Sequence, residues 1–368
     1  MRFLIVTYDE YRNIPFVRKY EKCISECGGE YDIVLWNRSG ENVEHPTNHL
    51  IFHATDKKDK LSKIIPFLRW RAFVRKQLKE GHYDRVIVIT TIPAILIADV
   101  LIRKYPNRYW LDIRDFTYEQ LPLYKRLVHR LVCASANTSI SSPGFYSFVP
   151  KLEKVCLTHN ITNVSERTQA CTYHAEQPKT VIGFVGGIQY LEENQRLCDR
   201  FKNHPRYELR YVGKVHPGCD LQTYCKENGM ENVSFFPPYR NEEKPRIYKD
   251  IDIINSVYGS KTEITKIALP NRLYDAALYH KPILVSSGTL LAELVSQFHL
   301  GLPVDADDDN LVAKVDAYLA SFDREQFDAG CETFLSDVLK DEAEYCHRVS
   351  LFCALGADKP LSIQSAGN

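Results

Sequence analysis

Two small-residue turns carry the residue types best suited to chemistry. The run TVIGFVGG, residues 180–187, closes on Gly186 and Gly187. Paired glycines after a strand let backbone N–H groups approach a pyrophosphate with no Cβ in the way. Ser287, Gly288 and Thr289 form the second turn, between Ile283-Leu284-Val285 and the run LLAELV. A turn at a strand's carboxyl end that leads into a helix presents free N–H groups to an anion. A metal is not expected. His45, His49 and His53 stand four apart, but Pro46 and the following LIF run point to a loop entering a strand, where that spacing does not gather the rings. No C-x-x-C and no H-E-x-x-H occurs.

The elements that hold these turns alternate strand and helix. RFLIVTY is a buried strand, residues 16–27 have helical spacing that stops at Gly28-Gly29, and Tyr31–Trp36 is the next strand. That order opens a doubly wound α/β domain. Strands follow at 83–89, 108–115, 134–140 and 155–157, and the pattern restarts at 180–187, 207–214, 232–239, 248–255 and 301–305. The central stretch runs from Thr262 to Val295. It reads as a loop, a helix entered at Pro270 and ended at His280-Lys281-Pro282, a buried strand, and a second helix. The first-half loop after RFLIVTY lacks G-x-G-x-x-G, which argues against dinucleotide binding there.

At 368 residues the chain suits about two domains, with no window of ~20 apolar residues to span a bilayer. MRFLIVTYDE is too brief and too soon acidic for a signal peptide. Eleven scattered cysteines fit reduced thiols in a cytoplasmic protein. Net charge is zero, yet residues 1–165 hold 25 Lys/Arg against 17 Asp/Glu, a surplus of eight. No basic motif of a nucleic-acid reader accompanies it, so nucleic acid is not an expected partner. Residues 56–80 set nine basic side chains among Leu61, Ile64, Ile65, Phe67, Leu68, Trp70, Phe73 and Val74. Such a segment can lie on an anionic membrane, at the inner face of the cell membrane. The plain alternative is a packed helix with its basic side chains in water, broken or kinked at Pro66.

Pro270-Asn-Arg-Leu-Tyr-Asp275, then Lys281-Pro-Ile-Leu-Val285, then a small-residue turn and Glu293, resembles the donor-site signature of retaining GT-B glycosyltransferases. The similarity is to the large family four, especially its capsule and exopolysaccharide members. The resemblance implies two Rossmann-like doubly wound domains facing across a cleft, with a C-terminal helix crossing back. The corresponding boundaries are 1–165 for the acceptor domain, 166–178 for a linker, 179–340 for the nucleotide-sugar domain, and 341–368 for a terminal helix and tail. It implies that Arg272 faces the nucleotide diphosphate and Asp275 the ribose hydroxyls. The family's two Glu stand eight positions apart; Asp275 matches the second, the first falls on Ile267, and Glu263 is the nearest carboxylate. Where relatives clamp the phosphates with Arg and Lys, this chain has Ile188-Gln189-Tyr190, so Arg272 and Lys214 are the cations left to supply that charge. Pro238 and Tyr239 match the base pocket. Asp112-Ile-Arg-Asp115 resembles the family's D-x-R-D. There Asp115 would orient the acceptor hydroxyl, and Arg114 would reach a donor phosphate or the acceptor's diphosphate; the plain alternative is an Asp–Arg pair that secures a loop. His159-Asn160 stands where relatives enter the hinge.

The activity so implied is transfer of a sugar from a nucleotide-sugar donor, a UDP-sugar in most such relatives, to a glycan or polyprenyl-diphosphate-linked acceptor. It proceeds with retention and without metal or cofactor, the nucleotide-sugar being a co-substrate. Two alternatives remain open: a nucleotide-sugar 2-epimerase, and an inactive GT-B scaffold subunit, which the missing first Glu keeps in view.

Overall fold

Residues 3–6 and 86–89 are buried along their whole length, the pattern of central parallel strands covered on both faces. The computed structural model describes residues 1–38, 40, 46–54, 64–161 and 179–354, and divides the chain into two units. The first is Met1–His159 with the described residues from Lys340 on; the second is Asn160–Leu339. The linker read over 166–178, the tail from 355 and residues 56–63 of the basic segment lie outside the described residues.

In the first unit the chain runs β1 (Arg2–Val6), α1 (Val17–Glu26), β2 (Glu30–Asn37), β3 (His49–His53), α2 (Ile64–Glu80), β4 (Arg85–Ile89), α3 (Thr91–Leu96), α4 (Ala98–Lys104), β5 (Tyr109–Ile113), α5 (Pro122–Ala134), β6 (Asn137–Ile140) and β7 (Val155–Leu157). Its seven strands are parallel, in the order β3-β2-β1-β4-β5-β6-β7. The chain reverses direction across the sheet between β1 and β4, and at such switch points the carboxyl ends open a crevice. Among the described residues helix α2 starts at Ile64, with Pro66 in its first turn; the part of the segment before it lies outside the described residues.

The second unit continues β8 (Thr180–Val185), α6 (Leu191–Phe201), β9 (Tyr207–Val212), α7 (Leu221–Glu227), β10 (Val233–Phe236), α8 (Lys244–Lys249), β11 (Ile253–Ser256), α9 (Glu263–Ile267), α10 (Asn271–Leu278), β12 (Ile283–Ser286), α11 (Leu290–Gln297), β13 (Gly301–Val304), α12 (Leu311–Ala320) and α13 (Arg324–Ala354). Six parallel strands lie in the order β10-β9-β8-β11-β12-β13, with the switch point between β8 and β11. The strand read from Tyr248 is shorter than expected, because α8 holds residues 244–249. Thr262, read as loop, caps α9 through Thr265.

Helix α13 supplies both cores. Phe327, Cys331, Phe334, Leu335 and Val338 pack beneath α10 and α11 in the second unit. Tyr345, Val349, Phe352 and Cys353 join Phe3, Tyr20 and Trp110 in the first. Trp110 lies 5.9 Å from Tyr345 and 5.7 Å from Phe352 in edge-on contacts, the geometry favoured by aromatic quadrupoles. Among the described residues no helix is long and apolar enough to cross a membrane.

Candidate active site

In the second unit, β8 delivers Gly186 and Gly187 to the switch point. Gly186 has φ +137°, and its N–H extends the ladder to the Val212 carbonyl at 2.9 Å. That amide is therefore not free for a ligand. Gly187 N–H makes no hydrogen bond within the described chain, and it is the bare donor of the pair. A Cβ on Gly213, at φ +143°, would stand 1.9 Å from the Gly186 carbonyl oxygen, so only glycine fits beneath this turn. The next turn behaves similarly. Ser287 N–H is spent on Val304 at 2.9 Å, whereas the Gly288 and Thr289 amides make no hydrogen bond within the described chain. Thr289 caps α11, its hydroxyl accepting from Ala292 N–H at 3.1 Å and donating to the Ser286 carbonyl at 2.8 Å.

Arg272, on the first turn of α10, lies beside the first of these turns. Its guanidinium carbon stands 3.8 Å from the centre of the Phe184 ring and 4.8 Å from that of Tyr258. One terminal nitrogen donates to the Val185 carbonyl at 3.2 Å and faces the position a Cβ would take on Gly186, at 3.6 Å. Among the described residues its Nε has no partner. The side chain is 6 % exposed, and desolvation brings its pKa down to about 10, against the pull of Tyr248, Tyr239 and Asp275. It is thus a buried cation, still charged at neutral pH, with no carboxylate on it. Such an arrangement costs free energy unless an anion completes it. Across the same surface, Ser286 Oγ accepts from Tyr258 and Gly259 N–H at 2.9 and 2.7 Å, and Ser260 borders Gly288. The carboxyl ends of β8, β11 and β12 therefore converge on one patch.

The other expected donor-site residues are placed as follows. Asp275 is buried, and its oxygens accept from Lys244 Nζ at 3.0 and 2.9 Å and from Tyr248 Oη at 2.8 Å. It faces the interior of the unit, where the resemblance had it on a ribose. Tyr239 is half-buried against the core beneath α10, with burial pushing its phenol up to about 12, and Pro238 is exposed beside it. Lys214 is exposed at the end of β9, where its carbonyl accepts from Ile188 N–H. Ile267 ends α9 half-buried, and Glu263 points to solvent paired with Lys266 at 2.9 Å.

In the first unit Arg114 is spent internally. Its Nε donates to Asp112 at 2.9 Å, and its guanidinium carbon stands 3.9 Å from the Phe16 ring centre. Asp112 also accepts from Tyr20 and Ser139, each at 2.9 Å. Desolvation lowers the Arg114 pKa, but the Asp112 carboxylate, together with Tyr345 and Tyr20, more than offsets it and holds the group above its ordinary value. Asp115 reaches solvent; desolvation and the carboxylates of Asp9 and Glu119 raise its pKa against the lowering effect of Arg114. Around it stand residues the sequence did not mark. Thr91 Oγ1 donates to buried Glu119 at 2.5 Å and lies 2.9 Å from Tyr124 Oη, while the Tyr8 phenol is raised by burial and by Asp115. His49 and His53 lie on β3, with His49 against Tyr11; His45 is outside the described residues.

No protein-family model and no curated protein matches the chain. Solved structures do. Sucrose-phosphate synthase from Thermosynechococcus elongatus superposes with a TM-score of 0.68 at 13% identity, covering 95% of this chain and 96% of that one. HepE of Anabaena, solved with UDP and glucose, gives 0.68 at 14% identity over 95% and 100%. WaaG, a glycosyltransferase of lipopolysaccharide biosynthesis, gives 0.59 at 13% over 96% and 100%. The fold is GT-B. Of the residues the sequence singles out, the structure brings Gly186, Gly187 and Arg272 together at the end of β8 and sets the Gly288-Thr289 turn at the end of β12. Sequence reading missed Lys244, Tyr248, Phe184 and Tyr258, because no spacing links them to Arg272.

Proposed function

We propose that the chain is a glycosyltransferase that takes a sugar from a nucleotide-sugar donor, a UDP-sugar, and passes it to a glycan or polyprenyl-diphosphate-linked acceptor in capsule or exopolysaccharide assembly. The observation that carries this reading is Arg272, a buried cation with no ion-paired carboxylate among the described residues, at a switch point beside the Gly186-Gly187 turn. Structural neighbours solved with UDP and with UDP-glucose support it. In the reaction the bond from the anomeric carbon to the diphosphate oxygen breaks, and the electron pair stays with the diphosphate. Arg272 and the amides of Gly187, Gly288 and Thr289 stabilise that charge in place of a metal, preorganised where water is scarce. The acceptor hydroxyl oxygen forms the new bond and its proton passes to the departing diphosphate oxygen, with Asp115 as the residue proposed to orient that hydroxyl. Retention of configuration follows from the sequence resemblance, and Lys214 and Tyr239 complete the phosphate and base contacts.

The first unit supports a membrane-held acceptor at the inner face of the cell membrane. Six large apolar side chains stand exposed on two stretches, Ile64, Ile65 and Leu68 on α2 and Tyr118, Leu121 and Leu123 at the entry to α5. Phe67 against Tyr8 at 6.4 Å and Tyr118 against Tyr124 at 5.8 Å flank the Asp115 surroundings from these two sides. Exposed Arg69 and Arg126 add positive charge one turn along each stretch, as an anionic lipid surface requires.

The test is titration calorimetry with UDP and uridine, followed by diphosphate release from UDP-sugars with and without membrane lipid. UDP bound much more tightly than uridine, with release that depends on acceptor, is the expected result. Release without acceptor would favour an epimerase, and no nucleotide binding would leave a scaffold.

A further inference from the structure

Arg272 and Asp275 stand three apart on α10, a spacing at which Arg and Asp commonly pair on a helix surface. Here they do not. Lys244 and Tyr248, one turn apart on the neighbouring α8, face Asp275 and occupy both its oxygens. All three charged side chains are buried: Lys244 and Asp275 are as enclosed as Arg272. Their formal sum is +1, and geometry assigns the cancelled part to Lys244 and Asp275, leaving the surplus on the guanidinium at the Gly186 opening.

We infer that Lys244 is a positioning residue for the phosphate site: it sequesters Asp275, which would otherwise serve as the internal counter-ion of Arg272. An anion arriving at Arg272 then meets, among the described residues, no carboxylate ion-paired with the guanidinium. Tyr248 holds Asp275 from the same side and is itself fixed by stacking on Tyr279, ring centres 4.7 Å apart. With Lys244 neutralised, Asp275 loses its buried cation. A positive charge within reach is Arg272, three residues away on the same helix, and a buried carboxylate is strongly driven to find one.

This inference rests on the diphosphate reading, and one set of titrations separates the two. UDP and uridine are titrated into the wild-type chain, Lys244→Gln, and the doubly neutral Lys244→Met/Asp275→Asn. Lys244→Gln keeps a hydrogen-bond donor for Asp275 while removing the charge. It is expected to weaken UDP at least tenfold and leave uridine within twofold; the double variant is expected to recover UDP binding to within about threefold of wild type. A purely structural role for Lys244 would weaken both ligands together and would not be rescued by removing Asp275's charge. Wild-type UDP affinity in folded Lys244→Gln would overturn the inference and leave the diphosphate reading standing. No UDP binding by the wild type would remove both. If Lys244→Gln does not fold, the decision falls to the double variant, whose failure to bind UDP while folded would equally overturn the inference.

Discussion

Arg114 and Arg272 occupy similar stations in the two units and meet opposite fates. Each is buried just beyond or beside strand carboxyl ends, and each lies over an aromatic ring at under 4 Å. Arg114 has Asp112 on its Nε, and the pair is closed further by Tyr20 and Ser139. Arg272 has a lone carbonyl and an orphaned Nε, while the acid on its own helix is held by α8. The two pKa directions record the difference: Arg114 is held above its ordinary value and Arg272 below it. A buried arginine is a strut when its charge is answered inside the fold, and a receptor when it is not. Burial and aromatic stacking alone do not distinguish them.

The largest effect that would break this comparison is on stability. Arg114→Met leaves Asp112 buried and uncompensated, and should cost about 3–5 kcal/mol in urea melts while leaving UDP affinity of the folded fraction unchanged. Arg272→Met should do the reverse. Removing an unanswered cation leaves stability the same or higher, while UDP affinity drops roughly a hundredfold or more and uridine is spared. If both variants lost stability alike, the two arginines would be equivalent struts.

Next in size, Asp115→Asn should lower sugar transfer by about 10²-fold with UDP affinity intact, measured as kcat against Kd. Its raised pKa means that the ionised form carries a desolvation cost and a repulsion from Asp9 and Glu119 at neutral pH, both relieved as pH falls through the folded-state value. The Asn variant should therefore melt at pH 7 no lower than wild type. Arg272 supplies a pH test of its own. Its depressed pKa keeps the desolvation cost constant at neutral pH, and the charge is lost as pH rises through about 10. Affinity for inorganic pyrophosphate should fall across that interval, against the trend set by the ligand's own growing charge, and should show no such fall in Arg272→Met. The smallest effect concerns the apolar stretches. Ile65→Ser with Leu123→Ser should weaken co-sedimentation with anionic vesicles about tenfold, with no change in UDP binding.

Several features were legible from residue order because local physics specifies them. Branched runs such as Val86-Ile87-Val88-Ile89 have no other stable use than buried strands, and the restart at Thr180 announced a second sheet. Gly187 and the Gly288-Thr289 turn were legible because a bare amide after a strand needs small residues on the spot. Short helices escaped: α8 was merged with the strand after it, since the apolar Ile251, Ile253 and Ile254 dominate that window, and α9 rests on a Thr262–Thr265 cap within five residues.

The sequence by itself determined two parallel α/β sheets, the turns at their carboxyl ends and the identity of the basic residues near them. It could not decide which arginine keeps its charge available, because D-x-R and R-x-x-D both read as potential ion pairs. That choice depends on Lys244, 31 residues before Asp275, and on Phe184, 88 before Arg272. Only the packing of α8 and β8 against α10 brings these side chains within a few ångströms, where Coulomb attraction and desolvation become large enough to select a partner.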